Sequence, residues 1–253
     1  MTSAEPVLNS YDPDFFLSQA GGSRKSAAVV VPLVLAEIGV RSIIDVGCGV
    51  GTWAAEFLAH GVQDVTGIDG DYVDRSNLAI PADCFRPQDL NTRINAGRTF
   101  DLAVCLEVAE HLPASRAAGL IEDLTRLAPC VLFSAAIPGQ TGTNHINEQP
   151  LSYWVEIFSR FGYCPADLIR PAIWKNPDVE WWYKQNAVLF ARKGHPLLNR
   201  NFPPAMDLVH PDVFNLRCSE IADLKTPPTL GFLIPHLPGA VTRSLRKRFL
   251  GKS

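Results

Sequence analysis

Short apolar runs alternate with stretches whose apolar residues recur every three or four positions, and up to Lys193 this alternation predicts strands and helices in turn. Strands are predicted at residues 42–46, 65–68, 84–85, 102–106, 130–134, 163–169 and 187–191. Helices are predicted at 26–38, 53–60, 115–127 and 151–161, the last with Trp154, Ile157, Phe158 and Phe161 on one helical period. Strands separated by helix-length segments make a mostly parallel sheet covered on both faces, so the fold class is α/β and doubly wound. The last two strands are joined by a long excursion in which no helix is evident. Beyond Lys193 proline becomes frequent and periodicity disappears. The chain is therefore expected to comprise an N-terminal segment (1–23), one α/β domain (24–193) and an irregular C-terminal extension with a basic tail (194–253).

Composition narrows the partners. At 253 residues, 47% hydrophobic and 19% charged, the chain is long enough for one large domain with a substantial core. Its formal net charge of -3 argues against bulk nucleic-acid binding. The first fourteen residues are polar and acidic, unlike a secretory signal or transit peptide. The apolar run at 27–40 is interrupted by Pro32 and Glu37 and falls short of a bilayer span of about 20 residues, so it reads as a buried helix and no transmembrane segment is expected. Six cysteines are scattered without any CxxC pair, which suits reduced core thiols in the cytoplasm. Near the end, Val241, Leu245 and Phe249 recur among Arg243, Arg246, Lys247, Arg248 and Lys252. A helix lying on an anionic membrane surface has this pattern, but a basic, irregular tail is the favoured reading.

The chemistry begins where the run Ile43-Ile44-Asp45-Val46 leads into Gly47-Cys48-Gly49-Val50-Gly51 and then a helix. Glycines there let the backbone turn tightly and approach a bulky ligand. A dinucleotide fingerprint would require glycine at the position of Thr52; the GxGxG spacing favours a different nucleoside cofactor. The next strand ends in Asp69, where a carboxylate can accept hydrogen bonds from ribose hydroxyls, and Asp89 follows the short strand after it.

Asp45-Val46-Gly47-Cys48-Gly49-Val50-Gly51, Asp69, Gln88-Asp89-Leu90 and the run from Asp101 to His111 together resemble the class I S-adenosylmethionine-dependent methyltransferases over roughly residues 24–192. The resemblance implies a Rossmann-like, seven-stranded sheet with its last strand antiparallel and S-adenosyl-L-methionine as cofactor. It further implies that Asp45, Gly47, Gly49 and Gly51 meet the methionine part, Asp69 the ribose, and Asp89 with Leu90 the adenine.

Glu107, Glu110 and His111 are spaced to share one face if the segment turns helical, and His145 lies in the loop after the fifth strand. The ExxEH run is similar to the metal-binding run of the ubiquinone-pathway O-methyltransferases. The added histidine is similar to that of enzymes that methylate the terminal 2′-hydroxyl of small RNAs. Together these four residues are candidate ligands for a divalent ion, Mg or Mn, that would lower the pKa of an acceptor hydroxyl. Alternatively Glu107 lies near the cofactor, His111 merely packs, and His145 acts alone as a general base. Trp181, Trp182 and Tyr183 are candidates for an acceptor lid, or simply pack within the excursion. The leading functional reading is O-methylation of a small-molecule or sugar hydroxyl, with Glu107 and His145 catalytic. A nicotinamide-dependent oxidoreductase is opposed by Thr52, and a non-catalytic methyltransferase-like binding module by the intact glycine loop.

Overall fold

A computed structural model describes residues 13–202 and 204–225. In chain order the elements are α1 (Pro13–Glu37), β1 (Ser42–Val46), α2 (Thr52–Ala59), β2 (Asp64–Asp69), β3 (Phe85–Pro87), β4 (Leu102–Leu106), α3 (Ala117–Leu127), β5 (Cys130–Ser134), α4 (Leu151–Arg160), β6 (Tyr163–Ala166), α5 (Ile169–Ile173), α6 (Trp181–Asn186), β7 (Val188–Arg192) and α7 (Pro211–Lys225). Contacts divide the chain into one compact unit through His210 and a second from Pro211 onward, which contains α7.

The seven strands form one sheet in the order β3-β2-β1-β4-β5-β7-β6. All pairings are parallel except those of β7, which runs antiparallel to both β5 and β6. Central strands are buried on both faces and so read as unbroken apolar runs, yet their side chains still alternate. Ile43, Leu102, Val104, Cys130, Leu132 and Leu189 face one core together with Val30 and Val34 of α1, Phe57 of α2 and Ile173 of α5. Ile44, Val46, Ala103, Val131, Phe133 and Phe190 face the other, with Leu120 and Leu124 of α3 and Trp154 and Phe158 of α4. Strand order reverses between β1 and β4, which opens a crevice at their carboxyl ends, the place where open α/β sheets bind ligands.

Several elements differ from expectation. α1 begins at Pro13, because Gly21 and Gly22 interrupt its pattern without ending it. β6 stops at Ala166, where the Leu168 amide bonds back to the Ala166 carbonyl and the chain turns into α5. The excursion before β7 contains α6. The extension is not irregular throughout, since α7 forms within it. Nor does the chain divide after Lys193: residues 194–210 stay with the first unit, held by Ser152 on Asp207 and by Arg170 on the Met206 carbonyl. No helix among the described residues is long and apolar enough to cross a membrane. The basic positions 241–252 lie outside the described residues.

Candidate active site

The crevice holds a cavity of about 1100 Å³. Its lining includes Gly47, Gly49, Asp69, Asp89 and Leu90, from the ends of β1 and β2 and the segment after β3, and Glu107, His111, Gln140, His145, Trp181, Trp182 and Tyr183, from the segments after β4 and β5 and from α6.

The glycine loop is tied to β2 by the Gly47 and Cys48 amides, both of which donate to the Ile68 carbonyl. Gly47 has φ +79° and its missing Cβ would lie 2.3 Å from a methyl of Val108. Gly49 has φ +53° and no heavy atom near its missing Cβ, so it presents bare backbone to open space. Asp69 organises this end: one carboxylate oxygen accepts from the Gly49 amide (2.7 Å), the other from the Gly70 amide (2.6 Å) and the Tyr72 hydroxyl (2.5 Å). A carboxylate has about four lone-pair sites, so one ribose hydroxyl fits beside these partners and a second fits if Tyr72 swings away. Two expected contacts are displaced. Asp45 does not reach the cavity wall; it is buried behind the loop, where burial and the neighbouring Asp69 raise its pKa to about 7 and only the Ala54 amide opposes them. Gly51 likewise packs behind, against Ile80, as the residue preceding α2. Asp89 is exposed and lines the cavity beside buried Leu90, its carboxylate held by Asn91.

Beyond β4 the chain turns sharply. Glu107 adopts φ +54°, unusual for a residue with a side chain, and its amide donates to the Ser134 carbonyl and hydroxyl at the end of β5. One Glu107 oxygen accepts from Gln140 Nε2 (2.9 Å) and the other from Asn186 Nδ2 (3.2 Å). Gln185 closes the network by donating to Gln140 Oε1 and Asn186 Oδ1. Glu110, fully buried, accepts from the Ala136 amide through Oε1 while its Oε2 has no partner. Burial pushes both Glu107 and Glu110 up in pKa, and the charge of Glu107 raises Glu110 further.

The Glu110 carbonyl accepts from the Ile146 and Asn147 amides and so pins the loop after β5 over the segment carrying His111. The His111 and His145 rings meet edge to face, 4.9 Å between centroids. His111 Nδ1 is buried without a partner, and burial lowers the His111 pKa to about 4, leaving a neutral imidazole. His145 Nδ1 lies 2.9 Å from Glu148, which also accepts from the Gly139 and Thr141 amides. With a carboxylate as its partner, Nδ1 carries the proton and Nε2 is the basic nitrogen. Ligand atoms of Glu110, His111 and His145 lie within 4.8 Å of one another. Orphaned oxygen and nitrogen atoms in such a group fit a cation. Glu107, expected as a fourth ligand, is instead engaged by the two carboxamides.

Tyr183 is buried beside α2, its hydroxyl bonded to Ser23 and to Trp53 Nε1, and burial raises its pKa to about 12. Trp181 and Trp182 are half-buried on the cavity wall. Gln140, Glu148, Gln185 and Asn186 were not among the residues expected from sequence. The adjacent amides at 185–186, just before the apolar run 187–191, and a carboxylate three residues after His145 are the signals that could have found them.

Residues 18–133 match a family described as a methyltransferase domain. A ubiquinone biosynthesis O-methyltransferase from Methylobacterium is 31% identical over 107 residues, 40% of this chain and 42% of that relative, so the match spans less than half its length. Among solved structures, a magnesium protoporphyrin IX methyltransferase from Synechocystis, with bound S-adenosylhomocysteine, has TM-score 0.52 and 19% identity over 75% of this chain and 90% of its own. A sugar N-methyltransferase from Streptoalloteichus has TM-score 0.55 and 18% identity over 76% and 97%. The structures share the fold, and over residues 18–133, which carry the glycine loop and Asp69, the chain is similar to methyltransferase domains.

Proposed function

We propose that the chain binds S-adenosyl-L-methionine at the Gly47–Asp69–Leu90 end of the cavity and transfers its methyl group to a hydroxyl of a small-molecule or sugar acceptor at the other. The observation that carries this reading is that the glycine loop lines the same cavity as His111 and His145, two members of a cluster able to activate a hydroxyl, whose third member, Glu110, is buried behind the wall. A hydroxyl is a poor nucleophile until deprotonated. Glu148 orients His145 so that Nε2 can take the acceptor proton, a role worth about 10²–10⁴-fold. The cluster also fits a divalent cation held by Glu110, His111 and His145, which would lower the hydroxyl pKa. One carboxylate with two imidazoles is a softer set than Mg²⁺ prefers and suits an ion such as Mn²⁺. Trp181 and Trp182 offer flat faces for an acceptor ring. Six unpaired cysteines suit a reducing, cytoplasmic setting.

Transfer of labelled methyl to a panel of phenols and glycosides tests the reading. Under the base mechanism, His145→Ala loses about 10²–10⁴-fold and a chelator changes nothing. Under the metal mechanism, chelation abolishes turnover, Mn²⁺ restores it, and Glu110→Ala is as severe as His145→Ala. S-adenosylhomocysteine binding without any labelled product would favour a non-catalytic module.

A further inference from the structure

The segment after β3, residues 88–94, places Asp89 and Leu90 on the cavity wall without regular secondary structure to hold them. Its internal bonds are local: Asn91 donates to the Asp89 carboxylate, and Thr92 donates to the Asp89 carbonyl through its amide and its hydroxyl. Gln88 adds a bond from its Nε2 to the Arg93 carbonyl and ties the start of the segment to β2 through its amide on the Asp69 carbonyl, and from Leu90 onward further support comes from side chains of and before α3. Arg116 Nε donates to the Leu90 carbonyl (2.9 Å), and Nη2 donates to the Thr92 carbonyl (2.7 Å) and to Asp123 Oδ2 (2.5 Å). The same Asp123 oxygen accepts from the Ile94 amide (2.9 Å). The Arg116 and Asp123 side chains are 11% and 2% exposed, so this pair is screened from water. The third residue of α3 is a glycine, Gly119, and a Cβ there would lie 2.5 Å from Arg116 Nη1. Glycine is costly inside a helix; here it leaves the guanidinium its place.

We propose that Arg116, braced by Asp123, is a positioning residue for cofactor binding. It fixes the carbonyls on either side of Asn91 and thereby presents Asp89 and Leu90 to the adenosine half of the cofactor, without touching the cofactor itself. The inference rests on the cofactor reading given above. The bonds leave from two nitrogens of one rigid plane, Nε and Nη2, a spread that the single nitrogen of a lysine ammonium does not reproduce. A wall fixed before the ligand arrives spares binding the cost of ordering it.

Calorimetry with S-adenosylhomocysteine and with 5′-methylthioadenosine, paired with thermal melts, tests this on the parent, Arg116→Met, Arg116→Lys, Gly119→Ala, Asp69→Ala and Arg192→Lys. Arg192 is the control: it binds the Thr125 carbonyl and the Tyr163 hydroxyl and makes no bond to residues 88–94. Both Arg116 variants should weaken S-adenosylhomocysteine about tenfold or more, and 5′-methylthioadenosine by the same factor, because the loss lies in the adenosine half. Gly119→Ala should show a smaller loss of the same kind. Arg192→Lys should keep parental affinity even where it lowers Tm. Should Arg116→Met fail to fold, Arg116→Lys and Gly119→Ala still decide the matter. The inference is overturned by Arg116 variants within twofold of the parent, by a loss that spares 5′-methylthioadenosine, or by an equal loss in Arg192→Lys. Unchanged Arg116 variants beside a weakened Asp69→Ala overturn this inference alone; a parent that binds neither ligand overturns the cofactor reading with it.

Discussion

Gly47 and Gly49 both sit at positive φ in the same turn, yet a methyl group added to each should fail in a different way. At Gly47 the new Cβ would lie 2.3 and 2.9 Å from the two Val108 methyls and 3.2 Å from Val108 Cβ, so no rotation of that valine clears it. The left-handed backbone costs a non-glycine residue roughly 1–2 kcal/mol. Overpacking against buried Val108 adds roughly 1–3 kcal/mol, for a total of about 2–5 kcal/mol out of a typical 5–15 kcal/mol. At Gly49 no atom lies within 4 Å, so only the backbone cost of roughly 1–2 kcal/mol applies, but the methyl projects into the open space where the cofactor is expected. Urea denaturation should therefore show the larger stability loss in Gly47→Ala, and calorimetry with S-adenosylhomocysteine the larger affinity loss, per unit of stability lost, in Gly49→Ala. Combining Gly47→Ala with Val108→Ala should recover about 1–3 kcal/mol as coupling, though not all of the loss, because the Val108 Cβ remains close. A Gly47→Ala protein destabilised by less than 1 kcal/mol, or a double mutant without coupling, would refute the packing argument.

Three further outcomes are expected. Asp69→Ala should weaken S-adenosylhomocysteine by about 1.5–3 kcal/mol in calorimetry, since it removes a ribose acceptor and frees the Gly49 amide; unchanged affinity would remove Asp69 from that role. Arg170→Met should cost about 3–5 kcal/mol in chemical denaturation, because it leaves Asp167 buried without its guanidinium partner and strips the Gln185 and Met206 carbonyls of their donor; a loss under 1 kcal/mol would contradict this. Asp45, with a folded pKa of about 7 against about 3.9 unfolded, favours the protonated state in the fold. Its contribution is complete below about pH 4 and is lost as pH rises through 7, a change of up to roughly 4 kcal/mol. Asp45→Asn should accordingly lose less stability than the parent between pH 4.5 and pH 8 in urea titrations, and identical pH dependence would exclude the effect.

What was legible in the sequence follows from how each signal is encoded. β1, β4 and β5 were located to the residue because strands buried on both faces are continuous apolar runs bounded by polar turns. The GxGxG turn and strand-end Asp69 were legible because local spacing alone specifies them. α6 was not, since its six residues carry buried polar side chains, Lys184, Gln185 and Asn186, in place of an apolar stripe. The partners of Glu107 are not legible for a related reason. Spacing places it with Glu110 and His111, but its positive φ turns the chain, and its carboxylate is fixed by Gln140 and Asn186, 33 and 79 residues away in sequence. No local pattern records partners at that separation.

The two ends of the cavity also differ in where along the chain they are written. Gly47, Gly49, Asp69, Asp89 and Leu90 all fall within residues 18–133, the segment that matches the methyltransferase-domain family. Glu107, Glu110 and His111 lie there too, but most of their partners come later: Gln140 and Asn186 on Glu107, the Ala136 amide on Glu110, His145 against His111, and Glu148 behind His145. The dependence extends further, since Gln185 accepts from the His210 amide, and Arg170 joins the Gln185 and Met206 carbonyls. Residues 194–210 are thus tied by buried hydrogen bonds to the network that holds Glu107. Similarity to the methyltransferase-domain family therefore bears on the glycine-loop end, whereas the side chains that hold Glu107 and His145 come from residues 134–210, outside the matched segment, and a shared fold does not carry their arrangement with it.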